Sequence, residues 1–147
     1  MSFGPIPLTM CGMHFDLVDA VIELSPERIV TVKNVSAAEE YLQDHFPTFP
    51  VLPGVLMIES MVQAARRLLI ARDPALGRHV LGGVRALKYG SFVRPGQALR
   101  VTVTLDDDSE APAFHFKGSG EVVTTGVSAG APVNAVAGRF TLRPPAL

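Results

Sequence analysis

The sequence contains little cysteine, little charge and no tryptophan. Its 147 residues include one cysteine, Cys11, which excludes an internal disulfide framework and a zinc site built from cysteines. Only 18% of the residues are charged, which excludes a disordered polyelectrolyte. Thirteen Lys and Arg against fourteen Asp and Glu give a formal net charge of −1. The overall basic excess typical of nucleic-acid-binding proteins is therefore missing.

Long hydrophobic runs are also missing. The first ten residues, MSFGPIPLTM, lack the basic start and the unbroken apolar stretch of a secretory signal. The longest uncharged run, Val122 to Gly138, is rich in Gly, Ala, Thr and Asn and contains Pro132, so it would make a poor membrane helix. With 48% hydrophobic residues, the chain has enough apolar material for a sizeable core. We expect a cytoplasmic protein that folds as a single domain over residues 1–147, without a membrane span.

One long helix stands out in the pattern. Strong helix formers fill the segment from Gly54 to about Arg72, with Pro53 before its first turn and Asp73-Pro74 as a stop. Its first half is apolar on nearly all faces, so we expect other structure to bury it all round. A capping-box pattern at Ser36–Glu39 predicts a second, short helix to about Gln43.

The remaining regular structure is predicted to be β. Segments rich in β-branched and aromatic residues predict six strands, at 15–24, 28–35, 78–89, 98–105, 113–125 and 133–142. Strands and helices do not alternate along the chain, which favours an α+β fold over a doubly wound one. An antiparallel sheet that curls around the long helix would bury that helix.

Glu59 is the only ionisable residue between Val51 and Ala65. An isolated buried carboxylate is costly unless it is paired or protonated. A carboxyl group that stays neutral in such a place suits a general acid. Two structural interpretations stay open, an ion pair with an arginine or a water-facing position on the helix.

Neighbouring residues favour the catalytic interpretation. Gln63 lies one helical turn after Glu59 and can hydrogen-bond to it. His45 precedes a stiff loop with three prolines and is a candidate base, although a surface histidine is the plainer interpretation. The first amides of the helix, at Gly54 and Val55, are free to bind a carbonyl oxygen, unless Gly54 only starts the helix.

The segment from His45 to Gln63, HFPTFPVLPGVLMIESMVQ, resembles the active-site segment of the 3-hydroxyacyl-acyl-carrier-protein dehydratases of type II fatty acid synthesis, which have the hot-dog fold. H-F-P, P-x-x-P-G-V and the later Glu and Gln carry the resemblance. It implies that His45 is the catalytic histidine, that the Gly54 amide polarises the thioester carbonyl, that Glu59 is the acid, and that Gln63 supports Glu59. Glutamate at position 59, where the isomerising relative has aspartate, favours the branch that only dehydrates.

The resemblance also implies partners. It predicts an acyl-carrier-protein-bound substrate, no cofactor, and a homodimer or trimer of dimers in which the histidine and the acid of one site come from different subunits. Thr48 and Phe49 depart from the family pattern, as does the segment 13–19, which suggests a pathway-specific substrate.

Other features leave alternatives open. Phe92 and Val93 are candidates for an acyl tunnel or for core packing. His14, His79 and His115 lack the spacing of metal ligands, so no metal site is expected. The rival functions are a non-catalytic hot-dog subunit that binds acyl carrier protein or pairs with an active homologue, and a hot-dog acyl thioesterase.

Overall fold

A computed structural model describes residues 16–36, 51–124 and 131–145. The elements follow the order predicted for an α+β chain, with two strands before the long helix and four after it. Their bounds are β1 (Ala20–Leu24), β2 (Arg28–Asn34), α1 (Gly54–Arg72), β3 (Val80–Tyr89), β4 (Gln97–Asp107), β5 (Phe114–Thr124) and β6 (Val133–Arg143). A short 3₁₀ helix, Pro74–Arg78, which was not predicted, joins α1 to β3.

The six strands form one antiparallel sheet in the order β1-β2-β4-β5-β6-β3. Helix α1 packs on one face of this sheet and contacts β2, β4, β5 and β6. Alternate residues of β4, namely Leu99, Val101 and Val103, point toward the helix and are fully buried. The predicted hot-dog arrangement, an antiparallel sheet around one helix, is confirmed.

Two glycines of β5 leave room for side chains of the helix and of the neighbouring strands. A Cβ atom at Gly118 would lie 2.7 Å from Sδ of Met61 on α1. A Cβ atom at Gly120 would lie 2.8 Å from Leu99 and 2.9 Å from Val136, both fully buried. The core is therefore filled up to the backbone of β5, and side chains at these positions would overpack it.

The bounds of α1 agree with the prediction, but its burial does not. Pro53 precedes the helix in an extended conformation, and the Asp73 N–H donates to the Leu69 carbonyl at its end. The buried residues are divided evenly between the two halves of the helix and lie between Met57 and Leu69, whereas Val55 in the first turn is 68% exposed. The expectation that the first half is buried all round is wrong for one protomer, because the sheet covers one side of the helix only.

Strands β1 and β4 differ from the predicted bounds, and β3 begins at Val80 and not at residue 78, because the 3₁₀ helix precedes it. Strand β1 begins at Ala20 and not at residue 15, because the Leu17 N–H donates to the Gln63 side chain and not to a neighbouring strand. Strand β4 continues to Asp107, beyond the predicted end at residue 105, because Asp107 pairs with His115 of β5. The predicted short helix after Ser36 lies outside the described residues.

Strand β3 forms one edge of the sheet, and it exposes three large apolar side chains besides the charged Arg85 and Lys88. Leu81, Val84 and Tyr89 are 39%, 37% and 51% exposed. The register of β3 with β6 shifts twice, and Ala86 adopts a positive φ of 54° at the second shift. Exposed apolar edge strands pair readily with another chain. Within the described ranges, no helix is long and apolar enough to cross a bilayer.

Candidate active site

Gln63 fixes the orientation of the Glu59 carboxyl group. Its Oε1 accepts a hydrogen bond of 2.8 Å from the Leu17 N–H, so its amide group must point its Nε2 the other way. That Nε2 donates to Glu59 Oε2 at 3.0 Å. Gln63 is 6% exposed, so packing holds its amide in place. The predicted contact between Glu59 and Gln63 is thus present. The Leu17 N–H, which lies outside the helix, determines that the Nε2 end of the Gln63 amide faces Glu59.

Glu59 itself is partly buried. The arginines that follow on α1 are engaged elsewhere. Arg66 Nε donates to the His79 carbonyl at 3.1 Å, and Arg67 Nη2 lies 3.8 Å from Asp16 Oδ1. Across the residues with described positions, Glu59 takes part in no ion pair. The alternative of a structural glutamate neutralised by an arginine is not supported.

The start of α1 presents unbonded amides, as expected. The N–H groups of Leu56 and Met57 both donate to the Pro53 carbonyl, at 3.0 and 3.3 Å. For the N–H groups of Gly54 and Val55, the described part of the chain offers no acceptor. These two amides lie at the positive end of the helix dipole and can bind a carbonyl oxygen that gains negative charge.

Tyr89 contacts the helix start, and sequence reasoning missed it. A Cβ atom at Gly54 would lie 2.9 Å from Cε1 and Cζ of the Tyr89 ring and 3.0 Å from its hydroxyl oxygen. Only glycine lets the ring approach the helix this closely. Tyr89 ends an edge strand far from Gly54 in the sequence, and no local pattern connects the two residues.

Phe92 and Val93 have different surroundings. Val93 is fully buried in the core, and its carbonyl accepts from the Leu52 N–H at 2.8 Å, so it anchors the segment before α1. The core-packing alternative therefore applies to Val93. Phe92 is 56% exposed and lines an open cavity of about 650 Å³, together with polar side chains that include Arg94, Gln97 and Asn134.

The two histidines in the described ranges have structural contacts. His79 is buried, its Nε2 lies 2.7 Å from the Pro112 carbonyl oxygen, and its ring packs against Phe114. His115 lies between Thr141 and Glu110, at 2.7 and 2.8 Å. No group of three His, Cys, Asp or Glu residues suited to a metal ion occurs in the part of the chain described here. His14 and the predicted base His45 lie outside the described residues.

Solved structures with this fold have different activities. The dehydratase heterocomplex ApeI:P from Xenorhabdus doucetiae superposes with a TM-score of 0.62 at 16% identity, over 88% of this chain and 98% of that one. Thioesterase superfamily member 2 from Mus musculus superposes equally well, with a TM-score of 0.62 at 15% identity over 92% and 89%. At these identities the likeness shows the hot-dog fold alone.

Sequence comparison distinguishes between dehydratases and thioesterases with this fold. The chain is 47% identical over 92 residues to 3-hydroxyacyl-acyl-carrier-protein dehydratase FabZ from Oenococcus oeni, which is 61% of this chain and 66% of that protein. It is 45% identical over 91 residues to FabZ from Lactobacillus helveticus, over 60% and 62%. The alignments span less than two thirds of these relatives' own length. The family model for ApeI-like dehydratases matches residues 22–127, so the chain belongs to the ApeI-like dehydratase family.

Proposed function

We propose that this protein removes water from a 3-hydroxyacyl thioester, carried on acyl carrier protein, to give a trans-2-enoyl thioester. The observation that carries the proposal is the Glu59–Gln63 pair. Glu59 is partly buried, lacks a cationic partner among the described residues, and is held by a buried amide one turn away. Such a carboxyl group is held in one orientation, as a general acid requires.

The chemistry needs a base, an acid and a site for negative charge. His45 removes a proton from C2, and the electron pair moves onto the thioester oxygen, where the amides of Gly54 and Val55 stabilise it. This electron pair then moves back from the oxygen and forms the C2–C3 double bond as the C3–O bond breaks. Glu59 gives its proton to the departing hydroxyl group, which leaves as water. The thioester itself acidifies C2, so the proposal includes no metal and no redox cofactor.

The spacing along α1 suits the two ends of the reacting segment. Glu59 lies five residues after Gly54, which is about 7 to 8 Å along the helix axis. One end of the substrate can therefore place its thioester oxygen at the helix start while its 3-hydroxyl group reaches the carboxyl group. Gln63 acts on the substrate only through Glu59 and is a positioning residue.

The protein is proposed to act as a homodimer, or as a trimer of dimers, with His45 and Glu59 of one site supplied by different subunits. Two features support this. The first turn of α1 is open at Val55, and β3, which lies at the border of the sheet formed by the described residues, exposes the apolar side chains of Val84 and Tyr89. A second subunit placed against β3 would cover both. Phe92 is proposed to lie at the mouth of the acyl tunnel.

The relatives' names support the proposed carrier. The FabZ proteins from Oenococcus oeni and Lactobacillus helveticus are named as acting on acyl-carrier-protein substrates. The corresponding partner for this protein is a soluble acyl carrier protein in the cytoplasm. Residues 1–147 are proposed to form one domain.

A purified-protein assay tests the proposal. The wild-type protein is incubated with a 3-hydroxyacyl thioester of acyl carrier protein, and the enoyl thioester, free thiol and free acid are measured in the same sample. Formation of the enoyl product without thiol release is expected. Release of thiol and acid would indicate the thioesterase. No turnover by correctly folded protein would favour the non-catalytic subunit.

A further inference from the structure

Tyr89 brings a phenol group to the start of α1. It is the last residue of β3 and pairs in register with Val136 of β6, whose side chain is fully buried under the helix. Residues paired in this way point to the same face of a sheet. The Tyr89 side chain therefore lies on the helix side, where its ring and hydroxyl group contact the Gly54 backbone.

The hydroxyl group is at the end of the helix that attracts negative charge. In an α-helix each Cβ position is tilted toward the N-terminus, and the Tyr89 ring occupies the space that a Cβ of Gly54 would need. The phenol thus lies beside the first turn, close to the residue that carries the first unbonded amide. A phenol O–H is a hydrogen-bond donor, as those amides are.

Tyr89 is also accessible to a ligand. It is 51% exposed in the protomer, and the described residues offer its hydroxyl group no hydrogen-bond partner. A second subunit against β3 would shield this space from water, which strengthens any hydrogen bond formed there.

We propose that Tyr89 is a further catalytic residue, whose hydroxyl group donates a hydrogen bond to the thioester carbonyl oxygen beside the Gly54 amide. This inference rests on the proposed dehydratase function. No proton is transferred by Tyr89, since it stabilises the charge that develops on the oxygen while His45 removes the C2 proton. Gly54 then has two roles, because it supplies an amide and leaves room for the ring.

The test is the Tyr89→Phe variant, which keeps the ring against Gly54 and removes one oxygen atom. Loss of a donor to a developing oxyanion lowers kcat, and we expect a decrease of about 10- to 100-fold with KM changed by less than about threefold. The matched control is Thr141→Val, which removes a hydroxyl group bonded to His115 on the other face of the neighbouring strand β6. This control is expected to keep the wild-type kcat.

A spectroscopic measurement separates the proposed contact from a structural effect. Crotonyl pantetheine with a ¹³C-labelled carbonyl is bound to each protein, and its carbonyl stretch is recorded by infrared difference spectroscopy. A hydrogen bond from Tyr89 lowers that frequency in the wild type, so it should rise in Tyr89→Phe and stay unchanged in Thr141→Val.

The inference is overturned if Tyr89→Phe keeps kcat within about twofold, or if only KM rises and the carbonyl frequency is unchanged. In either case, dehydratase activity of the wild-type enzyme would still support the proposed function. An inactive wild type would instead remove the proposed function itself.

Discussion

The side-chain amide of Gln63 joins the Glu59 carboxyl group to the Leu17 backbone, with hydrogen bonds of 3.0 and 2.8 Å. The Leu17 N–H can only donate, so it selects the orientation in which Gln63 donates to Glu59. The segment before β1 thereby controls the direction of a side chain on α1. If Glu59 is the acid, this link sets where its proton points.

Removing the link should reduce activity and stability together. Gln63→Leu leaves the buried Leu17 N–H unpaired and releases Glu59, so we expect a loss of about 1–3 kcal/mol in the free energy of unfolding. We also expect at least a tenfold decrease in kcat, on the order of what mispositioned acid groups cost. Denaturant unfolding and steady-state kinetics measure the two effects.

The control for Gln63→Leu is Ser60→Ala. Ser60 is also buried on α1, but its hydroxyl group donates to the Leu56 carbonyl within the helix. Its loss should leave kcat unchanged. A Gln63→Leu enzyme with the wild-type kcat would show that Glu59 needs no positioning.

Replacing the acid should abolish most of the activity and leave the fold intact. Glu59→Gln keeps the shape of the side chain but has no proton to give to the leaving hydroxyl group. General acid catalysis contributes about 10² to 10⁴-fold, and we expect kcat to fall within that range. Circular dichroism and thermal unfolding should match the wild type. Turnover close to the wild-type rate would exclude the assigned role.

The bounds of α1 could be predicted from the sequence because residues next to its two ends determine them. Pro53 before the helix and Asp73-Pro74 after it determine where α1 begins and ends, and the structure agrees with both. The four strands after the helix also follow from local composition. The Glu59–Gln63 pair was predictable for the same reason, since helical spacing places residues one turn apart on one face.

What could not be predicted depends on the tertiary arrangement. Phe15 to Leu24 has the composition of a strand, but the Leu17 N–H bonds to Gln63, and the strand begins only at Ala20. The contact between Tyr89 and Gly54 arises because β3 lies at the sheet edge beside the helix start. Neither contact has a sequence signal, since each joins elements that are far apart along the chain.

If the site is shared between subunits, two inactive variants should complement each other. His45→Ala lacks the base and Glu59→Gln lacks the acid, so a heterodimer of the two contains one site with both groups intact. We expect partial recovery of activity after the two proteins are mixed and allowed to exchange subunits. Mass spectrometry under native conditions measures the exchange. Complete exchange without recovered activity would place both groups in one subunit.

The edge strand β3 should be the dimer interface. Val84→Lys puts a charge on the exposed apolar side of this edge, where a partner strand would bury it, and buried unpaired charges are strongly disfavoured. We expect a monomer without activity in analytical ultracentrifugation and enzyme assays. Val21→Lys is the matched control, because Val21 is 42% exposed on β1 at the opposite edge.

Val21→Lys should keep both the dimer and the activity. A dimeric, active Val84→Lys protein would rule out β3 as the interface. Loss of the dimer by Val21→Lys alone would assign the interface to β1.

The close packing of β5 against the core predicts a stability effect that is independent of catalysis. Gly120→Ala places a methyl group 2.8 Å from Leu99 and 2.9 Å from Val136, two fully buried side chains that cannot move into solvent. Overpacking of this kind costs about 1–3 kcal/mol in the free energy of unfolding, and denaturant titration measures it. Ser119→Ala changes the adjacent residue, which points to the opposite face of the strand, and should be close to neutral. Equal stability of Gly120→Ala and the wild type would mean that the Leu99 and Val136 side chains can shift enough to admit the methyl group, and the core would then be less tightly packed than the contacts at Gly120 indicate.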